Sequence, residues 1–146
     1  MAPRNNERLS EMLEMTTELY WLTLAIGLTA LLWVPYILQL IAQMGVFKAM
    51  WDPTGAHPHE ADWALRAKRA HYNAVENLVV FAPLTLLVVL TGANDDLTAA
   101  AAVLYFWARL AQYVVHVFAV PIVRTLVFMI GVGCQMVMLG RLVGAW

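Results

Sequence analysis

Long uncharged stretches alternate along this chain with short polar connections. No charge occurs from Leu19 to Phe47, which exceeds the roughly 20 apolar residues that cross a hydrocarbon core. Three further uncharged stretches are shorter and run from Asn77 to Asn94, from Leu110 to Val123 and from Thr125 to Gly140. Because each is too short for a comfortable span, the helices that contain them must take in charged residues. Those charges should face the interior of a bundle, where they can pair.

This pattern predicts an all-α fold, an integral membrane four-helix bundle in one domain. We expect an extramembrane tail at 1–16 and a membrane domain at 17–146, with helices at about 20–44, 62–90, 97–119 and 122–143. Pro35 should kink the first helix. Breaks are expected at 52–55 with Pro58, at 92–96 and at Pro121. A signal peptide is not expected, because the first apolar segment is too long and its upstream flank is acidic.

Composition supports the membrane class. Hydrophobic residues make up 62% of the 146 residues and charged residues only 13%, whereas soluble domains carry about 25% charged residues. The net charge of -1 gives no reason to expect a nucleic-acid partner. The single cysteine, Cys134, excludes an intrachain disulfide and a multi-cysteine metal site. His57 and His59 flank Pro58 without a third well-spaced ligand, so no metal cofactor is expected.

The positions of lysine and arginine predict an orientation. Lys48, Lys68 and neighbouring arginines flank the first connection, and Arg124 lies near the third. The second connection carries Asp95 and Asp96 without a cation. The positive-inside rule therefore predicts that the first and third loops are cytoplasmic and that both termini lie outside.

Four polar residues precede the second apolar stretch: Arg66, Arg69, Asn73 and Glu76. Their spacings of three, four and three put them on one face of a helix. For Arg66, a role as a cation that reaches up to lipid head groups is as good an explanation as a role in ligand binding. Arg69, Asn73 and Glu76 offer a guanidinium fork, an amide and a carboxylate. These groups suit a ligand that carries carboxylates, amides and an ammonium.

The motif Arg66-x-x-Arg69-Ala70-x-x-Asn73-x-x-Glu76 resembles the second-helix signature of the MAPEG superfamily, the membrane-associated proteins in eicosanoid and glutathione metabolism. Trp107-Ala108-Arg109-Leu110 and Pro121-x-x-Arg124-Thr125 are similar to the third- and fourth-helix pattern of that family. The resemblance covers the chain from about Thr17 onward. It implies a homotrimer of four-helix bundles that binds glutathione, as a co-substrate, between neighbouring subunits.

The resemblance also implies roles for individual residues. Arg69, Asn73 and Glu76 would bind the glutathione backbone, and Arg109 would pair with a glutathione carboxylate or with a neighbouring acidic group. Arg124 would stabilise the glutathione sulfur as a thiolate, with Thr125 close to that sulfur.

Some positions depart from the family pattern. His116 stands where family enzymes place a tyrosine, and Tyr113 lies next to a second aromatic position of the family. Both are candidates for contacting glutathione, although a hydrogen-bonded core histidine explains His116 equally well. Phe128 replaces a tyrosine of some relatives, and Lys48 stands near an arginine position at the end of the first helix.

Two functions are consistent with these residues. The first is a glutathione-dependent transferase or peroxidase that acts on hydrophobic electrophiles or lipid hydroperoxides dissolved in the bilayer. The second is a non-catalytic helical bundle that binds a small thiol, a lipid or a partner protein. The expected partners are glutathione, a lipid-like substrate, membrane lipids and further copies of the chain.

Overall fold

The computed structural model describes residues 14–51 and 58–145, and within them every regular element is a helix. The helices are α1 (Thr17–Leu31), α2 (Val34–Met44), α3 (Val46–Met50), α4 (Asp62–Leu90), α5 (Asp96–Val117) and α6 (Pro121–Leu142). The break expected at 52–55, together with His57, lies outside the described residues.

Four helical stretches are long and apolar enough to cross a membrane. They are Thr17–Met44, which joins α1 and α2, and the three long helices α4, α5 and α6. Large apolar side chains are exposed along all of them, as expected for helices that contact lipid. The predicted all-α class with four membrane-spanning helices is confirmed, and the chain is a multi-pass integral membrane protein.

The first span is divided between α1 and α2, just before Pro35. Proline has no N–H to donate, and its ring clashes with the preceding turn, so a helix is interrupted there. Leu32 ends α1 by donating its N–H to the carbonyl of Leu28 at 3.1 Å. The Tyr113 hydroxyl of α5 donates to the carbonyl of Leu32 at 3.3 Å. The break is therefore fixed to the bundle by a side chain from another helix.

Helix α5 lies at the centre of the bundle and packs against α1, α4 and α6. Small side chains let the helices approach closely; the buried ones are Ala64, Ala67, Ala70 and Ala74 on α4 and Ala101, Ala102 and Ala108 on α5. Between these two helices the rings of Phe81 and Tyr105 stack with their centroids 3.6 Å apart. This packing fixes the face of α5 that points towards α4.

Paired polar groups close the end of the bundle where α1 and α5 begin and α6 ends. Glu18 is only 3% exposed and accepts a hydrogen bond from the Thr98 hydroxyl at 2.6 Å. Asp95 caps α5 in a capping box with Thr98 and forms an ion pair with Arg141. The carboxylate of Glu18 also lies in the first turn of α1, where the helix dipole favours negative charge.

Removing either member of the Glu18 and Thr98 pair should destabilise the bundle. Without Thr98 the buried Glu18 carboxylate loses this donor, and without Glu18 the Thr98 hydroxyl keeps only its capping contacts with Asp95. We expect Glu18→Ala and Thr98→Val each to lower the free energy of unfolding by about 1–3 kcal/mol. The double variant should lose less free energy of unfolding than the two single variants lose together. Unfolding in mixed detergent micelles, analysed as a double-mutant cycle, measures this coupling. Thr23→Val, at an exposed threonine of α1, is the control, and strictly additive effects would contradict the pairing.

Candidate functional site

An open crevice of about 380 Å³ lies at the other end of the bundle, where α4 and α6 begin and α5 ends. Three helices line it, through Arg69 and Asn73 of α4, Gln112 and His116 of α5, and Arg124, Thr125 and Phe128 of α6. Its volume is in the range of small-molecule sites. The crevice forms within a single chain.

A tight turn between α5 and α6 positions one wall of the crevice. Ala119 adopts a left-handed conformation with φ of 58°, and the Val120 N–H donates back into the last turn of α5. Pro121 then begins α6, a position that suits proline because the first-turn N–H has no helical partner. This reversal brings Arg124, in the first turn of α6, beside His116 in the last turn of α5.

The crevice brings together five of the residues that the sequence singled out: Arg69, Asn73, His116, Arg124 and Thr125. Arg69, Arg124 and Thr125 are exposed, whereas Asn73 and His116 are half-buried. The Thr125 hydroxyl donates to the carbonyl of Pro121 at 3.3 Å. The middle two residues of the α4 stripe, Arg69 and Asn73, therefore line the same open space as Arg124 and Thr125 of α6.

Three further candidates do not line the crevice. Glu76 is exposed on α4, three residues beyond Asn73. Arg109 is 2% exposed and lies inside the bundle. Tyr113 uses its hydroxyl to hold the break in the first span. The structure thus gives Tyr113 a packing role.

Arg66, the first residue of the stripe, belongs to the end of α5 and not to the crevice. Its Nε donates to the carbonyl of Val117 at 2.8 Å. Val117 is the last residue of α5, where carbonyls lack helical partners and the dipole favours a cation. Arg66 therefore caps a neighbouring helix, a role that differs from contact with lipid head groups.

Gln112 and Phe128 line the crevice although sequence reasoning gave them no binding role. Gln112 is three residues after Arg109 and four before His116, so all three share a face of α5. That spacing is the signal that could have identified Gln112. Phe128 stands out in the sequence only as a departure from the family pattern, and it supplies an apolar part of the wall.

Several polar atoms that face this region are buried without a hydrogen-bond partner among the described residues. They are Asn73 Oδ1, Gln112 Oε1 and His116 Nδ1. Buried polar groups in native proteins are nearly always paired, so each unpaired atom needs an explanation. Three of them around one crevice indicate a site that a polar ligand or ordered water completes.

The charge of the crevice is positive. Among the described residues, neither Arg69 nor Arg124 forms an ion pair with a carboxylate, and no acidic side chain lines the crevice. Two guanidinium groups beside unpaired amide and imidazole atoms are suited to an anion that also carries amide groups. A carboxylate-bearing ligand fits this combination.

Arg109 lies one helical turn deeper than Gln112, and its guanidinium lies against α6. Its Nη2 donates to the carbonyl of Phe128 at 3.3 Å. A Cβ atom added at Gly131 would collide with this guanidinium, approaching its Cζ to 2.7 Å. Gly131 is therefore needed so that Arg109 can lie against the backbone of α6.

Gly131→Ala should displace the Arg109 side chain and lower the free energy of unfolding by about 1–3 kcal/mol, the usual cost of overpacking a core. Gly133 on the same helix has open space at its Cβ position, so Gly133→Ala is the matched control. Because alanine favours helix over glycine, this control should be neutral or slightly stabilising. Unfolding curves in mixed micelles compare the two, and equal stability of both variants would show that Arg109 has room to move.

The remaining candidates lie outside the crevice. Cys134 is buried in the core. His59 hydrogen-bonds through Nδ1 to Gln39 Oε1 at 2.8 Å, and burial lowers its pKa, with Lys68 adding to the effect. Among the described residues, no group of three or more His, Cys, Asp or Glu side chains comes together to hold a metal.

The fold and the crevice define a class: a helical integral membrane protein with a cationic crevice at one end of its bundle. A family model described as the MAPEG family matches residues 18–144. The chain belongs to the MAPEG family. No curated protein and no solved structure gives a significant match.

Proposed function

We propose that the chain is a membrane-embedded glutathione-dependent transferase or peroxidase. The crevice carries this proposal. Within the described residues it combines two arginines without a carboxylate partner and three buried polar atoms without a hydrogen-bond partner, in a member of the MAPEG family. Glutathione has two carboxylates, two peptide amides, an ammonium and a thiol. Its carboxylates suit Arg69, and its amide N–H groups suit the oxygen atoms of Asn73 and Gln112.

Arg124 is the proposed thiolate-stabilising residue. A free thiol has a pKa of about 8.5, so only a few per cent is thiolate at neutral pH. A guanidinium beside the sulfur favours the charged form and cannot itself lose its proton there. Thr125 adds a hydroxyl near the same place. No protein nucleophile is needed, since glutathione supplies the sulfur.

Two reactions of this thiolate are consistent with the proposal. In conjugation, the sulfur attacks an electrophilic carbon and the leaving group departs with the displaced electron pair. In peroxide reduction, the sulfur attacks the O–O bond, which yields a glutathione sulfenic acid and an alkoxide that takes up a proton. A second glutathione then reduces the sulfenic acid, giving glutathione disulfide and water. Both chemistries suit apolar substrates that reach Phe128 from the bilayer.

The proposal includes an assembly and an orientation. Arg69 and Glu76 are exposed on α4, and an exposed carboxylate next to a ligand crevice suits contact with the glutathione ammonium or with a neighbouring copy in a homotrimer. The cations at the first and third connections favour a cytoplasmic position for the crevice. Glutathione would then bind from the cytoplasm, with both termini on the opposite side.

A non-catalytic bundle that binds a small thiol, a lipid or a partner protein is the alternative. Two observations favour it. Phe128 presents a ring without a hydroxyl in the crevice, and the Tyr113 hydroxyl is occupied by the carbonyl of Leu32. The two functions share the same ligand-binding groups and differ in whether Arg124 activates the sulfur.

Arg124→Ala should abolish glutathione conjugation to an aryl halide while leaving glutathione binding weakened but measurable. The thiol of bound glutathione should have a pKa below about 8.5 in the wild type and a higher one in the variant, because the stabilising cation is gone. Purified protein in detergent serves for both measurements. Calorimetry gives the affinity, and the ultraviolet absorbance of the thiolate as a function of pH gives the thiol pKa.

Lys68→Ala is the matched control, since Lys68 is a cation at the same end of α4 that does not line the crevice. It should leave turnover and affinity unchanged.

Glu76→Ala tests the ammonium contact and should weaken binding with little effect on the thiol pKa. Wild-type protein that binds glutathione but shows no conjugation or peroxide reduction would favour the non-catalytic alternative. Absence of glutathione binding would overturn both the proposed activity and the proposed ligand.

A further inference from the structure

The chain reverses between α5 and α6 through a strained turn. Ala119 has a φ of 58°, and this left-handed conformation is unfavourable for a residue with a Cβ atom. Two backbone hydrogen bonds close the turn. The Ala119 N–H donates to the carbonyl of His116 at 3.1 Å, and the Val120 N–H donates to that of Val115 at 3.0 Å. This is the pattern of a Schellman motif, in which glycine usually occupies the left-handed position. An alanine there needs support from the surrounding structure.

Arg66 of α4 supplies such support. The carbonyl of Val117, the last residue of α5, cannot receive the helical hydrogen bond from four residues ahead, because that residue is Pro121 and has no N–H. The Nε of Arg66 donates to this carbonyl at 2.8 Å. The guanidinium also brings a positive charge to the C-terminal end of α5, where the helix dipole favours a cation. A side chain from another helix thus holds the last carbonyl before the turn.

Arg124 follows the turn closely. Val120 directly precedes α6, and its carbonyl accepts a hydrogen bond from the Arg124 N–H at 3.1 Å. Since the N–H of Val120 closes the turn, the backbone of Arg124 is one hydrogen bond away from it. The Arg124 side chain lines the crevice together with Arg69 and Asn73 of α4. A shift of the turn would therefore move this guanidinium relative to a ligand that α4 holds.

We propose that Arg66 is a positioning residue that sets Arg124 at the crevice through the turn between α5 and α6. Arg66 is not among the residues that line the crevice, so it acts through the backbone of the turn. It shares a face of α4 with Arg69 and Asn73. That face therefore supplies one wall of the crevice and supports the turn behind the opposite wall. The inference rests on the proposed function only where glutathione is the probe.

Two substitutions separate the hydrogen bond of Arg66 from its charge. Glutamine carries its Nε2 at the same position along the side chain as the Nε of arginine, so Arg66→Gln keeps the donor and removes the charge. Arg66→Met has a similar length and no donor. Without ligand, the N–H groups of Ala119 and Val120 should exchange with deuterium about tenfold faster in Arg66→Met, because the turn loses a charge-assisted hydrogen bond. In Arg66→Gln they should exchange at nearly the wild-type rate.

Bound glutathione gives a second readout of the position of Arg124. Arg66→Met should lower kcat for conjugation to an aryl halide by about tenfold or more, because a small displacement of a group that acts on the reacting atom has a large effect. The thiol pKa of bound glutathione should rise towards its free value of about 8.5. Affinity should change little, since Arg69 and Asn73 stay in place. Arg66→Gln should keep kcat and the thiol pKa near their wild-type values, whereas a merely structural role would not move the thiol pKa of the folded protein.

Equal exchange rates at the turn in Arg66→Gln and Arg66→Met would overturn the inference, since the hydrogen bond would then not be responsible. Failure of Arg66→Met to fold while Arg66→Gln folds would also overturn it, because Arg66 would then stabilise the whole bundle. So would a variant with a loosened turn but an unchanged kcat and thiol pKa, because the turn would not place Arg124. If the wild type binds no glutathione, the proposed function fails, and the exchange rates still decide whether Arg66 holds the turn.

Discussion

The cost of leaving a polar group unpaired inside a bilayer is the constraint on which this structure depends. The apolar spans meet this constraint along their length, because each helix pairs its own backbone N–H and carbonyl groups. Some buried polar side chains along the spans find partners, as Gln135 of α6 does at the carbonyl of Asn77 on α4 at 3.1 Å, and further polar groups lie at the two ends of the bundle. At one end the groups satisfy one another, as Glu18 does with Thr98 and Asp95 with Arg141. At the other end, polar groups without a hydrogen-bond partner among the described residues line a crevice.

This difference between the two ends separates stability from function within one fold. The paired end holds the start of α5 against α1 and the end of α6. The open end contains unpaired atoms of Asn73, Gln112 and His116, each of which costs stability unless something else completes it. A bundle selected for stability alone would pair or remove these groups. Their presence beside Arg69 and Arg124, which have no carboxylate partner in the part of the chain that the structure describes, is the physical reason to interpret the open end as a binding site.

The sequence predicted much of this arrangement, because hydrophobic length and helical spacing are local properties. It identified four spans and the shared face of Arg69 and Asn73, and a motif resemblance led to Arg124. Spacing cannot show which neighbouring helix covers a face. Arg109 lies at a position typical of a ligand-binding residue, yet the close approach of α6 at Gly131 buries it. The burial of Glu18 does not follow from spacing either, since it depends on the packing of α1 against other helices and on the contact with Thr98 of α5.

Membership of the MAPEG family establishes the architecture, but it does not decide between binding and catalysis, because a site can persist when its chemistry is lost. Few protein groups would distinguish catalysis from binding here, since the proposed ligand supplies its own nucleophile. Binding of the proposed ligand would draw on charges and amides spread over three helices, so the loss of any one of them should weaken it only in part. Activation of a sulfur would depend on a cation close to that atom, and the tight turn at Ala119 brings the proposed cation, Arg124, to the crevice. With the proposed role of Arg124, a change in the geometry of that turn would affect catalysis more than affinity.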